Sequence, residues 1–199
     1  MTLITDATER FYSFVEYLNY DDGTDNRYEL VAGRLLKVNP PTFRHLLIAD
    51  FLQEFLKGEI KRGQTPWVCL REASIRTGLN RARLSDICVI SATEIAKFLD
   101  QSAVCEVAPL LVIEIVSPGS IAIDYRYKRS EYAALGISEY WIVDPLTSKI
   151  SVLIWEEGWY EESIFTNTQP LISSLFPNII LTPDQVFLRV IWVKFNFNQ

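Results

Sequence analysis

The hydrophobic pattern along the chain switches between a period near 3.6 and a period of 2, and the switches mark out the elements. Residues 8–18 carry Phe11, Phe14, Val15 and Leu18 at helical spacing, with Thr8 placed to cap. A loop follows over 19–26, with Gly23 and three acids. Arg27 to Asn39 then alternates as a hairpin: YELV, a turn at Ala32-Gly33, and RLLKV. Pro40-Pro41 ends it, and Thr42 caps a helix running to about Arg62. Phe43, Leu46, Leu47, Phe51, Phe55 and Ile60 form the apolar stripe of that helix, and Gly63 closes it.

Beyond Gly63 the pattern is mostly extended. Residues 66–76 and 84–91 read as strands around a turn at Gly78–Asn80, and Ala92 to Leu99 as a short helix or turn. Leu110 to Val116 is the most apolar strand, which predicts a central position covered on both faces. Ser117–Ser120 is a turn. A helix then extends to about Leu135, stopped by Gly136, and Glu139 to Val143 is the next strand. That order and length predict a right-handed βαβ unit. A late hairpin occupies 149–155 and 159–165, a last short helix starts at 181–184, and the apolar 190–197 reads as an edge strand, a subunit contact or a frayed tail. At 199 residues the expectation is one α/β (α+β) domain with a mixed central sheet flanked by helices.

Two carboxylates break this apolar pattern. Glu114 interrupts the central strand, and alternation puts it on the face of Val112 and Val116. Asp86 interrupts RLSDICVI, on the face of Cys88 and Ile90. If the two strands are neighbours in register, Asp86 and Glu114 converge. A divalent cation such as Mg²⁺ or Mn²⁺ relieves the repulsion of such a pair. On the following helix, Asp124, Lys128 and Glu131 lie at i, i+4 and i+7. From Glu114 to the turn is roughly 13 Å of strand. From the helix start back to Lys128 is roughly 10 Å, so Lys128 returns to the level of Glu114. The plainer alternatives are a buried Glu114–Lys128 ion pair and an Asp86 satisfied by backbone donors at a strand end. Glu131 and Tyr132 read as helix-face residues.

Composition narrows the classes. Apolar residues make up 49% and charged residues 22%, which excludes global disorder, and no apolar run approaches a membrane span. The N-terminus lacks the basic and long apolar regions of a secretory signal. Cys69, Cys88 and Cys105 are dispersed in apolar surroundings, as reduced thiols of a cytoplasmic protein are. The net charge of −6 argues against nucleic-acid binding through bulk electrostatics. Arg71, Arg76, Arg81 and Arg83 nevertheless form a local basic run, either a solvated hairpin or a set of phosphate contacts.

The segments RYELVAGRLLKV, RLSDICVIS, LLVIEIVSPGS and DYRYKRSEYAALGISEYWIVDP together resemble the Uma-type family of restriction-endonuclease-like proteins, within the PD-(D/E)XK nuclease superfamily. The resemblance runs from about Arg10 to Trp155. It implies a restriction-endonuclease-like core, with the superfamily's aspartate at Asp86 and its second acid at Glu114. The lysine of the E-x-K pattern falls on Val116, and Lys128 on the neighbouring helix stands in for it; Ser85 replaces the usual proline. Glu29 and His45, the chain's one histidine, are the candidates for the upstream position. The implied activity is metal-dependent endonuclease cleavage of DNA. Asp86, Glu114 and the Ile115 carbonyl would ligate Mg²⁺ or Mn²⁺, Lys128 would act on the attacking water, and a homodimer is expected. The missing E-x-K lysine and the acidic charge leave a second reading, a non-catalytic DNA-binding or regulatory homodimer. A hydrolase of small phosphorylated substrates is a third, unsupported by any glycine-rich phosphate loop or second histidine.

Overall fold

The computed structural model describes residues 10–188. In chain order the first half holds α1 (Phe14–Leu18), β1 (Tyr28–Val31), β2 (Arg34–Lys37), α2 (Phe43–Gly63), β3 (Trp67–Arg71), β4 (Ser74–Gly78), β5 (Arg81–Leu84) and β6 (Ile87–Ser91). The second half holds α3 (Ala92–Ile95), β7 (Val104–Cys105), β8 (Leu111–Ile115), a π-helical turn (Ile123–Lys128), α4 (Arg129–Ala134), β9 (Glu139–Asp144), β10 (Lys149–Glu156) and β11 (Trp159–Thr166). Residues 183–188 form a last short helix, as the pattern predicts. The 190–197 segment lies outside the described residues.

The strands form two sheets. The larger has the order β11-β10-β9-β8-β6-β3, and the smaller β2-β1-β5-β4-β7. In the larger sheet β8 and β9 are parallel, and every other pairing is antiparallel. The result is a mixed α/β fold with a central mixed sheet flanked by helices. β8 is central and buried at every position, because α2 covers one of its faces and the crossover helix the other. On the α2 side, Ile48, Leu52 and Leu56 pack with Leu111, Ile113 and Ile115. On the crossover side, Val112 and Val116 pack with Tyr132, Tyr140 and Ile75. No described helix is long and apolar enough to cross a membrane.

The two long strands expected over 66–76 and 84–91 are one hairpin that changes sheet halfway. Arg71 pairs with Ile87 below the break and Ser74 with Leu84 above it, so the register runs through unchanged. Between them Glu72 N donates to the Asp86 carbonyl at 3.3 Å and Ser85 N to the Ala73 carbonyl at 3.1 Å. Glu72 takes a left-handed backbone (φ 58°), which bends the ribbon there. Asp86 therefore sits at the bend, outside any strand, and the expectation of Asp86 within a strand is corrected. Lower and upper halves of the hairpin join different sheets because they find different partners: β6 pairs with β8, and β5 with β1.

The first helix is also shorter than its spacing predicts. Ser13 and Glu16 form a capping box that starts the helix at Phe14. Upstream, Tyr12 N donates to the Gly33 carbonyl at 2.7 Å, which holds the chain extended against the β1–β2 turn. That turn needs positive φ at both Ala32 (50°) and Gly33 (80°), the geometry of a tight two-residue hairpin.

Candidate active site

The bend at Ser85–Asp86 and the end of β8 put two acids side by side. The β6–β8 ladder ends at Ile87 opposite Ile113, and one further step in that register sets Asp86 opposite Glu114. Asp86 extends the ladder with its side chain: Oδ2 accepts the Ile115 N–H at 2.7 Å. Its other oxygen, Oδ1, lies 2.9 Å from His45 Nε2, near the start of α2. Thr42 caps that helix through the His45 N–H, which fixes where the imidazole emerges. The Asp86 side chain is 24% exposed and that of His45 17%, so this edge of the cluster opens toward solvent.

Glu114 is enclosed. Lys128 Nζ donates to Oε2 at 2.7 Å, and the Tyr132 hydroxyl donates to Oε1 at 2.7 Å. Lys128 also donates to the Leu84 carbonyl at 3.2 Å, and lies 3.7 Å from both Asp124 Oδ1 and Glu29 Oε1. The crossover helix places Asp124, Lys128 and Tyr132 on one face through its π-helical turn. Residues four apart drift round an ordinary α-helix, and the wider turn over Ile123–Lys128 opposes that drift before α4 resumes it. Tyr132 and Tyr140 meet edge to face at 5.1 Å, and Tyr140 OH donates to the Asp124 carbonyl at 3.1 Å, so the tyrosine pair forms the floor of the cluster.

A second layer comes from the smaller sheet. Glu29 on β1 accepts from the Leu84 N–H at 3.1 Å and from Arg83 Nη1 at 3.0 Å. Arg83 also grips Glu131 of α4 with two bonds, Nε at 2.9 Å and Nη2 at 2.6 Å, and Thr77 Oγ1 donates to the same carboxylate at 2.7 Å. The structure thus gathers Asp86, Glu114, Lys128, Glu29 and His45, and adds Arg83, Asp124, Glu131 and Tyr132. The basic run does not form one surface. Arg83 is 4% exposed and enclosed by acids; Arg71 faces Asp50 at 3.6 Å; Arg76 pairs with Glu106 at 2.6 Å and covers the Phe14 ring; Arg81 is exposed.

Negative charge exceeds positive in this cluster. Glu29, Asp86, Glu114, Asp124 and Glu131 face Lys128, Arg83 and an imidazole. Burial pushes the Glu114 carboxyl well above its ordinary value; Lys128 opposes this, and Asp86 and Asp124 add to the rise. Burial likewise raises Asp124, against the pull of Lys128. Burial works against the charged Lys128 ammonium, but Glu114, Glu29, Asp124 and Asp86 outweigh it, so its pKa lies above the ordinary range and it stays charged. Burial and then Glu114 lift the Tyr132 phenol, which keeps it a hydrogen-bond donor. A surplus of carboxylates around one ammonium fits a divalent cation in charge. In geometry the fit is spare: among the described residues no three His, Cys, Asp or Glu side chains form a metal cage. Asp86, Glu114 and the Ile115 carbonyl make the kind of partial set that Mg²⁺ accepts while keeping waters.

Reading the pattern alone leaves Tyr132 and Glu131 as helix-face residues. The available signal is the spacing: Asp124, Lys128 and Tyr132 fall at steps of four, and Glu131 follows Lys128 by three. Nothing local marks Arg83 for burial.

A family model described as Uma2, "Putative restriction endonuclease", matches residues 14–184. No curated protein matches the sequence significantly. Among solved structures, the chain is similar to a crystal structure of a putative nuclease belonging to DUF820 from Anabaena variabilis ATCC 29413. The TM-score is 0.74 at 18% identity, covering 88% of this chain and 97% of that one, a likeness of fold. With the family match spanning nearly all the described residues and the acids of the bend and the central strand brought together, the chain belongs to the Uma2 family of putative restriction endonucleases.

Proposed function

We propose that the protein is a metal-dependent endonuclease that hydrolyses DNA phosphodiester bonds. The carrying observation is the meeting of Asp86, Glu114 and Lys128 from a hairpin bend, a central strand and a crossover helix, with Lys128 Nζ 2.7 Å from Glu114. Asp86, Glu114 and the Ile115 carbonyl would hold Mg²⁺ or Mn²⁺, which when bound supplies Lewis acidity toward a phosphate oxygen and acidifies a water. Lys128 orients that water and offsets charge developing on the phosphate, being held charged by its acidic neighbours. Glu29 keeps the ammonium centred between β5 and β8, 3.7 Å from Nζ. His45, at the more open edge, is positioned beside Asp86 to exchange a proton with the water or leaving group. Arg81 is the best exposed of the four arginines for phosphate contact; Arg71 and Arg76 are engaged by Asp50 and Glu106. One such site per chain cuts one strand, so we place the working unit as a homodimer of single-domain chains. Three free thiols suit the reducing cytoplasm.

The test is Mg²⁺ and Mn²⁺ calorimetry together with cleavage of supercoiled DNA, on wild type, Asp86→Asn and Glu114→Gln. Cation binding and cleavage that vanish in both variants, with folding retained, support the reading. Cleavage that survives both substitutions overturns it. One observation favours a non-catalytic DNA-binding or regulatory homodimer instead: both oxygens of Glu114 and both of Asp86 already have partners within the protein. Salt-dependent duplex binding by a wild type that binds no cation would establish that second reading.

A further inference from the structure

Arg83 is a buried cation held between two carboxylates, and no step of the proposed reaction uses it. Its guanidinium is 4% exposed. It makes three hydrogen bonds to two carboxylates from different elements, Glu29 of β1 and Glu131 of α4. Burial works against its charge, and Glu131 and Glu29 more than offset that, so its pKa is raised. An arginine fork enclosed by two acids has its donors aimed inward, at the protein's own groups.

What it holds is the surroundings of Lys128. Glu29 is gripped at both oxygens by two consecutive residues: Oε2 by Arg83 Nη1 at 3.0 Å, and Oε1 by the Leu84 N–H at 3.1 Å. That same Oε1 lies 3.7 Å from Lys128 Nζ, and the Leu84 carbonyl accepts from Nζ at 3.2 Å. The dipeptide Arg83-Leu84 therefore sets both contacts that Lys128 makes with the smaller sheet. From the other side, Glu131 lies three residues after Lys128 and is held by Arg83 in two bonds, with Thr77 Oγ1 as a third donor. This fixes the crossover helix one turn beyond the lysine. Removing the guanidinium leaves Glu29 without its cation, and Lys128 becomes the nearest positive charge. The ammonium then has two competing carboxylates, Glu29 and Glu114, where the native arrangement gives it one short bond.

We propose that Arg83 is a positioning residue: it neutralises Glu29, locks Glu131, and thereby keeps the Lys128 ammonium on Glu114. The placement rests on geometry alone, and only its consequence for rate rests on the nuclease reading above. The smaller sheet is then part of the site, through an arginine that never touches substrate.

The experiment reads Lys128 directly, by reductive methylation with formaldehyde and cyanoborohydride followed by peptide mass spectrometry. In wild type Lys128 is buried and resists modification. In Arg83→Met its modification rises about tenfold, as expected for a locally opened group. Arg83→Lys gives a partial rise, since one ammonium cannot span two carboxylates. A core variant, Leu56→Ala, matched to Arg83→Met in melting temperature, leaves Lys128 protected and separates positioning from general loosening. Should Arg83→Met fail to fold, Glu131→Gln, which keeps the hydrogen-bonding shape and removes the charge, takes its place with the same expected direction. Protection of Lys128 unchanged in the folded variant, or an equal rise in Leu56→Ala, overturns the proposal. Where cleavage is measurable, kcat falls about 100-fold in Arg83→Met with KM within about threefold of wild type. Exposure of Lys128 in a protein whose wild type cleaves nothing would uphold the positioning and sink the nuclease reading alone.

Discussion

Two buried glutamates stand on neighbouring parallel strands of the central sheet, and they have opposite characters. Glu139 opens β9 and is 0% exposed; Glu114 lies near the end of β8 and is 2% exposed. Alternation puts Glu139 on the face of Trp141 and Val143, beneath α2 and the C-terminal segment. Four neutral donors hold it: Trp141 Nε1 at 2.6 Å, Ser174 N at 2.9 Å, Ser174 Oγ at 2.7 Å and Leu175 N at 3.3 Å. It pins residues 174 and 175 to the sheet. Glu114, on the other face, is held by an ammonium and a phenol; burial pushes its pKa up, and Asp86 and Asp124 add to the rise. A buried carboxylate is therefore no mark of a site by itself. The distinguishing feature is company: charged neighbours in unequal number, and an edge open to solvent at Asp86 and His45.

The largest expected effect that separates the two glutamates comes from removing the cation. Lys128→Met leaves Glu114 buried without its counter-charge and costs about 3–5 kcal/mol in urea unfolding. The double variant Glu114→Gln, Lys128→Met recovers more than half of that loss; no recovery would mean that the pair is not coupled. Glu139→Ala comes next. It strands buried donors on Trp141, Ser174 and Leu175 and costs about 2–4 kcal/mol. Cation affinity by calorimetry stays at the wild-type value, and a changed affinity would erase the distinction between the two faces. Tyr132→Phe deletes one hydrogen bond to a charged group and costs about 1.5 kcal/mol, read from the shift in urea midpoint.

The smallest effect is a slope against pH, measured in metal-free protein. Glu114 and Asp124 have raised pKa values, so the native state keeps protons that the unfolded chain has released. Their contribution to stability is thus fullest below the ordinary values, 4.5 for Glu114 and 3.8 for Asp124, and is lost as pH rises toward the raised native values. Each carboxyl contributes at most about 1.4 kcal/mol per pH unit. Urea titrations from pH 5 to 8 should show wild type losing stability relative to Glu114→Gln as pH rises. Parallel curves for the two proteins would mean that its surroundings do not raise the Glu114 pKa.

Much of this arrangement was legible along the chain. The face of Glu114 follows from alternation alone, and Val112 and Val116 share it in the structure. The rise per residue in strand and helix brings Lys128 level with Glu114, and the two meet at 2.7 Å. Asp86 was visible as a carboxylate in an apolar run, but its place at a bend was not. The period of 2 runs straight through that bend, because the hairpin register is continuous from Arg71–Ile87 to Ser74–Leu84. Only the choice of outer partners, β8 for one half and β1 for the other, divides the ribbon between two sheets. Arg83 was harder still. In the sequence it belongs to a basic run; in the fold its partners are 54 and 48 residues away. The long helix expected from residue 8 likewise yields to a contact with Gly33, which no local spacing contains.

The sequence by itself determined most of the elements, the order of the βαβ unit, and the face of the central strand that carries Glu114. Those properties depend on the fixed geometry of strand and helix, and on short-range turns such as Ala32-Gly33. Tertiary structure alone decided that the 67–91 hairpin serves two sheets, that Asp86 lies at their junction, and that Arg83 turns inward to Glu29 and Glu131. Those outcomes are set by pairings between distant strands and by the need of each buried charge for a partner, and neither leaves a periodic trace in the chain.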